Sequence, residues 1–322
     1  MNYSQLIRRP FEIVARRPYL WLLGFLAGGA AGLNLPGSGT SQPGSGTNHG
    51  YSAASGTYHG PSWSMLQSVW NANWEWIVGV LALLAAVAIV MFILGCIATG
   101  GIIHAAVEHD ANREYKLGSA WRAGYVTGWR IAGLRLLTFL LAIMPGFLVS
   151  ALVLGAIVGA VSSAATAVVL GLLAAAASLV SLVFWLALGV AFEFAQRIIV
   201  LEDGPVAQSL SMGFRLIRWH FKEVAFSWLI LIALSFGVGI ATAVLAFAIA
   251  VPAIVLGLGG WAIGGVTAAI VAGSFAAVFF VGTLLVAAGA YSAYTSVYWT
   301  LLFRNVRELP APAARGAIAP AT

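Results

Sequence analysis

Charged positions divide the chain into long apolar stretches whose lengths predict membrane-crossing helices. Trp76 to Val107 carries no charge, Arg135 and Glu193 enclose 57 uncharged residues, and Glu223 and Arg304 enclose 80 more. A membrane helix needs about 20 apolar residues, so these runs hold one, two and two spans. An earlier apolar stretch, Tyr19 to Leu35, is short at 17 residues and supplies the first of six. Turns are expected near Ser162-Ser163 and at the cluster Gly257, Gly259, Gly260, Gly264 and Gly265, beside the interfacial anchor Trp261. Four shorter helices would also fit the last run with the same parity. Two are favoured because only one glycine cluster is dense enough to turn the chain.

The basic residues then orient the spans. Arg8, Arg9, Arg16 and Arg17 precede span 1. Arg113, Lys116, Arg122 and Arg130 lie between spans 2 and 3, with Arg135 just inside span 3. Arg197, Arg215, Arg218 and Lys222 join spans 4 and 5, and Arg304, Arg307 and Arg315 follow span 6. All 16 basic residues fall on one side, and Glu75 is the single charge on the other. By the positive-inside rule the basic side is cytoplasmic, with both termini there. Span 1 also has signal-peptide features, a basic start and small residues at Gly28 to Gly32, and its cleavage would leave this orientation unchanged.

Each basic segment contains a short amphipathic stretch leading into a span. Ser4 to Arg17 sets Leu6, Phe11, Ile13 and Val14 among four arginines. Ser119 to Arg130 spaces Trp121, Tyr125 and Trp129 by four, and Ser209 to Lys222 opposes Phe214, Ile217 and Phe221 to Arg215, Arg218 and Lys222. Ser119 and Ser209 are the expected N-caps. Aligning them also aligns Trp129 with Trp219, so a surface helix followed by a pair of spans recurs three times. Such helices attract anionic headgroups, which makes Arg122, Arg130, Arg215, Arg218 and Lys222 the expected contacts to anionic lipid or a partner.

Composition removes whole classes of function. With 61% hydrophobic and 8% charged residues and a mean hydropathy of +0.95, the chain cannot cover a water-facing surface. A soluble enzyme, a disordered chain and a nucleic-acid-binding module are excluded. The single cysteine, Cys96, lies in an apolar run and founds neither a disulfide framework nor a thiolate metal site. Residues 36–62 form a duplicated Gly/Ser/Thr-rich external loop, in which His49 and His59 read as surface residues rather than metal ligands. Trp63, Trp70, Trp74 and Trp76 read as the outer aromatic belt.

Candidate chemistry is sparse. Ionisable residues inside spans are the first functional candidates. Here they are Arg135 and Glu193, expected to form a structural ion pair with each other, or Glu193 with Arg197 on its own helix. No charge falls at mid-span, where an ion-coupled transporter keeps its key group. His104, Glu108 and His109 fail as a zinc helix: the histidines stand five apart, and the two that share a face, His104 and Glu108, are too few. No nucleophile elbow, P-loop or dinucleotide fingerprint occurs. Gly155, Gly159 and the run Ala174 to Ala177 suit close helix packing.

Ala195 to Arg218 carries a further pattern: Glu202, Asp203 and Gly204 after an apolar stretch, then a helix with Ser211, Phe214 and Arg215. This resembles the membrane domain associated with some bacterial glycerophosphodiester phosphodiesterases and its stand-alone six-span relatives of unknown function. Glu108 to Ala123, with Lys116-Leu-Gly-Ser-Ala-Trp, and Tyr298 through Arg307 resemble other segments of that family. In the fused proteins a separate soluble barrel performs hydrolysis. This chain has no such barrel, so the resemblance implies a membrane scaffold without phosphodiesterase residues.

The expected fold is therefore all-α: one polytopic membrane domain over 1–322, with six transmembrane helices and short amphipathic cytoplasmic interface helices. Residues 1–18 form a cytoplasmic amphipathic segment and 308–322 a cytoplasmic tail. The expected role is a non-catalytic accessory or scaffold protein of the bacterial inner membrane, with no catalytic residues, metal or cofactor. Its partners would be the lipid bilayer, with anionic lipids at the inner leaflet, and other membrane subunits, not nucleic acid. The alternative is a transporter or lipid-handling protein.

Overall fold

The computed structural model describes residues 3–29 and 63–309, and all of its regular structure there is helical. The end of the first apolar stretch, the loop with His49 and His59, and the tail from 310 lie outside the described residues. Helix α1 (Tyr3–Arg16) leads into α2 (Tyr19–Gly24), which continues as a π-helical turn over Phe25–Gly29. Then follow α3 (Trp63–Asp110), α4 (Leu117–Ser162), α5 (Ala164–Glu202), α6 (Val206–Trp219) and α7 (Phe221–Arg307).

Five helices are long and apolar enough to cross a membrane: Asn73–Asp110, Leu117–Ala160, Ala164–Glu202, Phe221–Gly259 and Gly265–Arg307. The described part of the first apolar stretch, Tyr19–Gly28, is a shorter apolar helix. Five candidate spans are thus present among the described residues, and the expected sixth, over Tyr19 to Leu35, runs past Gly29 and so lies partly outside them.

Both expected turns occur. Ser163 is extended (φ −162°, ψ 142°), and its hydroxyl accepts the Thr166 N–H at 3.1 Å, capping α5 as α4 ends. Trp185 Nε1 then donates to the Ala142 carbonyl at 3.1 Å, tying the two helices into an antiparallel pair. Within α7 the only non-helical backbone is Gly265 (φ 69°, ψ −160°), a conformation essentially restricted to glycine. Uninterrupted, this 87-residue helix would run about 130 Å. Instead Tyr298 Oη donates to the Ser227 carbonyl at 2.8 Å, which requires the chain to double back at Gly265. The 80-residue apolar run therefore holds two helices, not four.

The expected surface helices are only partly separate. Ser4–Arg17 matches α1, but Ser119–Arg130 forms the first turns of α4 and continues unbroken into the span. Ser209–Lys222 is split by a break at His220 (φ −123°, ψ 38°). Neither serine is an N-cap: α4 begins after the extended Lys116, and α6 after Pro205. The reason for the second is local. Asp203 adopts a left-handed conformation that ends α5, and Pro205, lacking an N–H, opens the next helix three residues later.

The core sits where the charged segments meet, hereafter the polar end. One cluster joins Leu6, Leu20, Leu23, Ile102, Phe194, Val224, Tyr298 and Leu302, and a second joins Cys96, Ile103, Ile131, Leu134, Leu188, Ile199 and Leu210. Small residues allow the helices to cross closely. A Cβ on Gly124 would lie 2.0 Å from the Ile97 carbonyl oxygen, and one on Gly24 would lie 2.1 Å from that of Gly289. Away from this end the helices separate. Every residue of α3 from 78 to 90 is exposed, as are Phe147 on α4, Val180 on α5, and Phe247 and Phe275 on the two halves of α7. A common base thus carries three apolar arms: α3 alone, the α4–α5 pair and the α7 hairpin.

Candidate functional site

Chemistry-bearing side chains concentrate at the polar end. Asp110, the last residue of α3, accepts from Arg9 of α1 at 2.7 Å and from Arg304 of α7 at 2.6 Å. Glu202, the last residue of α5, receives Arg307 through Nε at 2.9 Å and Nη2 at 2.6 Å. Asp203 accepts from Arg130 at 3.1 Å on its carboxylate and 3.3 Å on its carbonyl. A carboxylate at a helix C-terminus opposes the helix dipole, so the arginines that complete these pairs answer that field as well as the charge. They also bring the ends of α3, α5 and α7 together with Arg9 of α1 and Arg130 of α4.

A cleft of about 270 Å³ opens at this end between α1 and the turn joining α3 to α4, lined by Arg9, Arg16, Arg17, His109, Asn112 and Arg113 among others. Asn112 stands in the left-handed region (φ 56°), and the following N–H, that of Arg113, returns to the Glu108 carbonyl at 2.9 Å. Beneath the turn, Tyr19 Oη donates to the Tyr115 carbonyl at 3.1 Å and shares a 2.5 Å hydrogen bond with His109 Nε2. Burial, reinforced by the Glu108 carboxylate, holds the Tyr115 phenol above its ordinary pKa. Its hydroxyl donates to the Ser119 carbonyl at 3.3 Å.

Two arginines lie deeper. Arg197 is 1% exposed and bonds the Glu193 carboxylate, the Glu193 carbonyl at 2.7 Å and the Ser296 carbonyl at 3.1 Å, joining α5 to α7. Arg135 donates to Thr99 Oγ1 at 2.9 Å and to the Ala27 carbonyl at 3.5 Å, linking α4 to α3 and to the π-helical turn. The expected Arg135–Glu193 pair therefore does not form, and the alternative partner, Arg197, takes Glu193. The physical reason is reach: one helical turn on the same helix brings Arg197 directly over Glu193.

The predicted lipid or partner contacts behave differently from one another. Arg130 is committed to Asp203. Arg215 lies over the Trp219 ring at 5.0 Å, a cation–π contact. Arg122, Arg218 and Lys222 are exposed and form no ion pair among the described residues. Of the aromatic stripe ahead of span 3, Trp121 packs on the core while Tyr125 and Trp129 face outward, Trp129 at 81% exposure. His104 and Glu108 gain no third ligand: no group of three or more His, Cys, Asp or Glu is arranged for a metal among the described residues. Sequence reasoning missed the cleft and the double pairing of Asp110. The available signal was that Asp110, Glu202 and Asp203 end apolar runs on the same side as the arginines.

The model of a protein family of unknown function, DUF7544, matches residues 14–308. No curated protein and no solved structure matches the chain. These findings do not bear on the likeness to the phosphodiesterase-associated membrane domain.

Proposed function

The chain belongs to the DUF7544 family, whose function is unknown, and from its own geometry we propose that it is a non-catalytic membrane scaffold packing against the helices of other membrane proteins. The observation that carries this reading is the arm of α3 between residues 78 and 90, apolar at every position and exposed at every position. A helix built solely to fill its own bundle has one packed face. This stretch has none, although the same helix is fully packed a few turns further on, at Ile102 and Ile103. Helix association in lipid is driven by van der Waals packing, and an arm fixed at one end presents a whole helical surface to a partner. In this reading the polar end lies at the cytoplasmic face of a bacterial inner membrane, with both termini there.

Site-specific photo-crosslinkers at Leu83 on α3, Leu148 on α4 and Phe247 on α7, activated in native membranes, test it. The expected result is discrete adducts with the same protein or proteins from more than one arm, and none from the buried Ile102. Lipid adducts alone from every arm, with the chain purifying as a lone monomer, would overturn it.

A further inference from the structure

The cleft between α1 and the α3–α4 turn holds cationic groups that the fold does not use. Of its arginines, Arg9 is bound to Asp110, and Arg113 lies 3.4 Å from Glu108. Arg16 and Arg17 form no ion pair among the described residues. The carboxylates that also line the cleft do not neutralise them. Glu12 is held by Arg8 at 2.8 Å, Asp110 by two other arginines, and Glu114 pairs with neither Arg16 nor Arg17. Arg16 and Arg17 are consecutive in the chain and both line this concave space, so an anion held there gains from both guanidinium groups. Their planar donor forks match the oxygens of a phosphate.

Position and size narrow the ligand. Arg17 stands two residues before Tyr19, where the first apolar stretch begins, so the cleft lies at the boundary between polar and apolar surface. At about 270 Å³ the cleft falls just below the roughly 300–1,000 Å³ of sites for drug-sized ligands, and suits a phosphate carrying a small alcohol. We propose that this cleft is a phosphate site, with Arg16 and Arg17 supplying the charge and Arg113 and Asn112 the flanking donors. The phosphate is that of an anionic lipid headgroup or free in solution. The site goes beyond the scaffold reading and does not depend on it.

The full-length protein is tested with two probes: labelled phosphatidylglycerol in phosphatidylcholine nanodiscs, and inorganic phosphate titrated into lipid-free detergent solution. The double variant Arg16→Gln/Arg17→Gln should weaken binding of at least one probe by about fivefold or more, while Lys116→Gln, at an exposed cation outside the cleft lining, changes it less than twofold. Loss confined to phosphatidylglycerol assigns the lipid, and loss extending to inorganic phosphate assigns the free anion. A loss as large in Lys116→Gln would overturn the site in favour of a diffuse basic face, and so would binding unchanged by the double variant. A second measurement needs no variant: phenylglyoxal modification of Arg16 and Arg17 in the native chain, mapped by peptide mass, should slow severalfold when the bound probe is present. Unprotected arginines under a saturating probe would overturn the proposal.

Discussion

Asp110 takes two arginines from opposite ends of the sequence, and its own side chain is only 12% exposed. Removing one partner of a fully buried pair costs roughly 3–5 kcal/mol, whereas exposed pairs are worth about 0–1. Arg9 and Arg304 retain contact with solvent, so Asp110→Asn is expected to cost about 1–3 kcal/mol, between those limits. A fall in thermal midpoint in detergent checks this, and an unchanged midpoint would show that the two pairs carry no stability. Arg197 gives the sharper case, because Glu193 is left with an uncompensated charge when it is removed. Arg197→Met should therefore be less stable than the double variant Glu193→Gln/Arg197→Met, as judged by the same unfolding measurement. At this scale sequence reading succeeded where partners are one turn apart, as for Glu193 and Arg197. It could not pair Asp110 with Arg9 or Arg304, because residues 101 and 194 positions apart meet only through helix packing.

Between elements, close approach of backbones decides which glycines matter. Gly124 sits in a row with Ala120 and Gly128 against Ile97, Gly100 and Gly101. Gly124→Ala places a methyl group into the Ile97 carbonyl and should cost about 1–3 kcal/mol or separate α3 from α4, the usual range for overpacking. Gly79→Ala meets nothing within 4 Å and should be neutral or gain up to about 1 kcal/mol from helix propensity. Comparing the two thermal midpoints checks the contrast. Gly265→Ala is expected to cost about 1–3 kcal/mol through backbone strain at φ 69° rather than through any clash, since nothing lies within 4 Å there. The turns at Ser163 and Gly265 were legible because a helix break leaves a local signature in residue type. The merging of Ser119–Arg130 into α4 was not, because an amphipathic stretch and the first turns of a longer helix share the same periodicity.

Among the described residues the helices are tightly packed at the polar end and separated at the other. If the arms are covered by partner helices in the native membrane, spin labels at Leu83 and Phe247 should collide with oxygen freely in nanodiscs of the purified chain. They should do so at least severalfold less in native membranes. Equal accessibility in both settings would mean that lipid alone covers the arms. The proposed orientation is checked separately: alkaline phosphatase fused after residue 163 should be active, and fused after residue 309 inactive. Span lengths and the one-sided placement of arginines are legible in the sequence, since each follows from counting charges along the chain. The separation into arms is not, because lipid-facing and partner-facing helix surfaces are equally apolar.

The sequence by itself determined that the chain is helical, where the long apolar helices turn, and which end gathers the charge. These follow from local rules: backbone groups satisfied within a helix, breaks at serine and glycine, and the cost of charge in an apolar medium. Only the tertiary structure decided which arginine meets which carboxylate, that Arg135 reaches Thr99 and Ala27 instead of Glu193, and that Arg16 and Arg17 are left facing a cleft. A guanidinium reaches only a few ångströms. Its partner is therefore set by how the helices cross, and those crossings depend on small residues far apart in the chain.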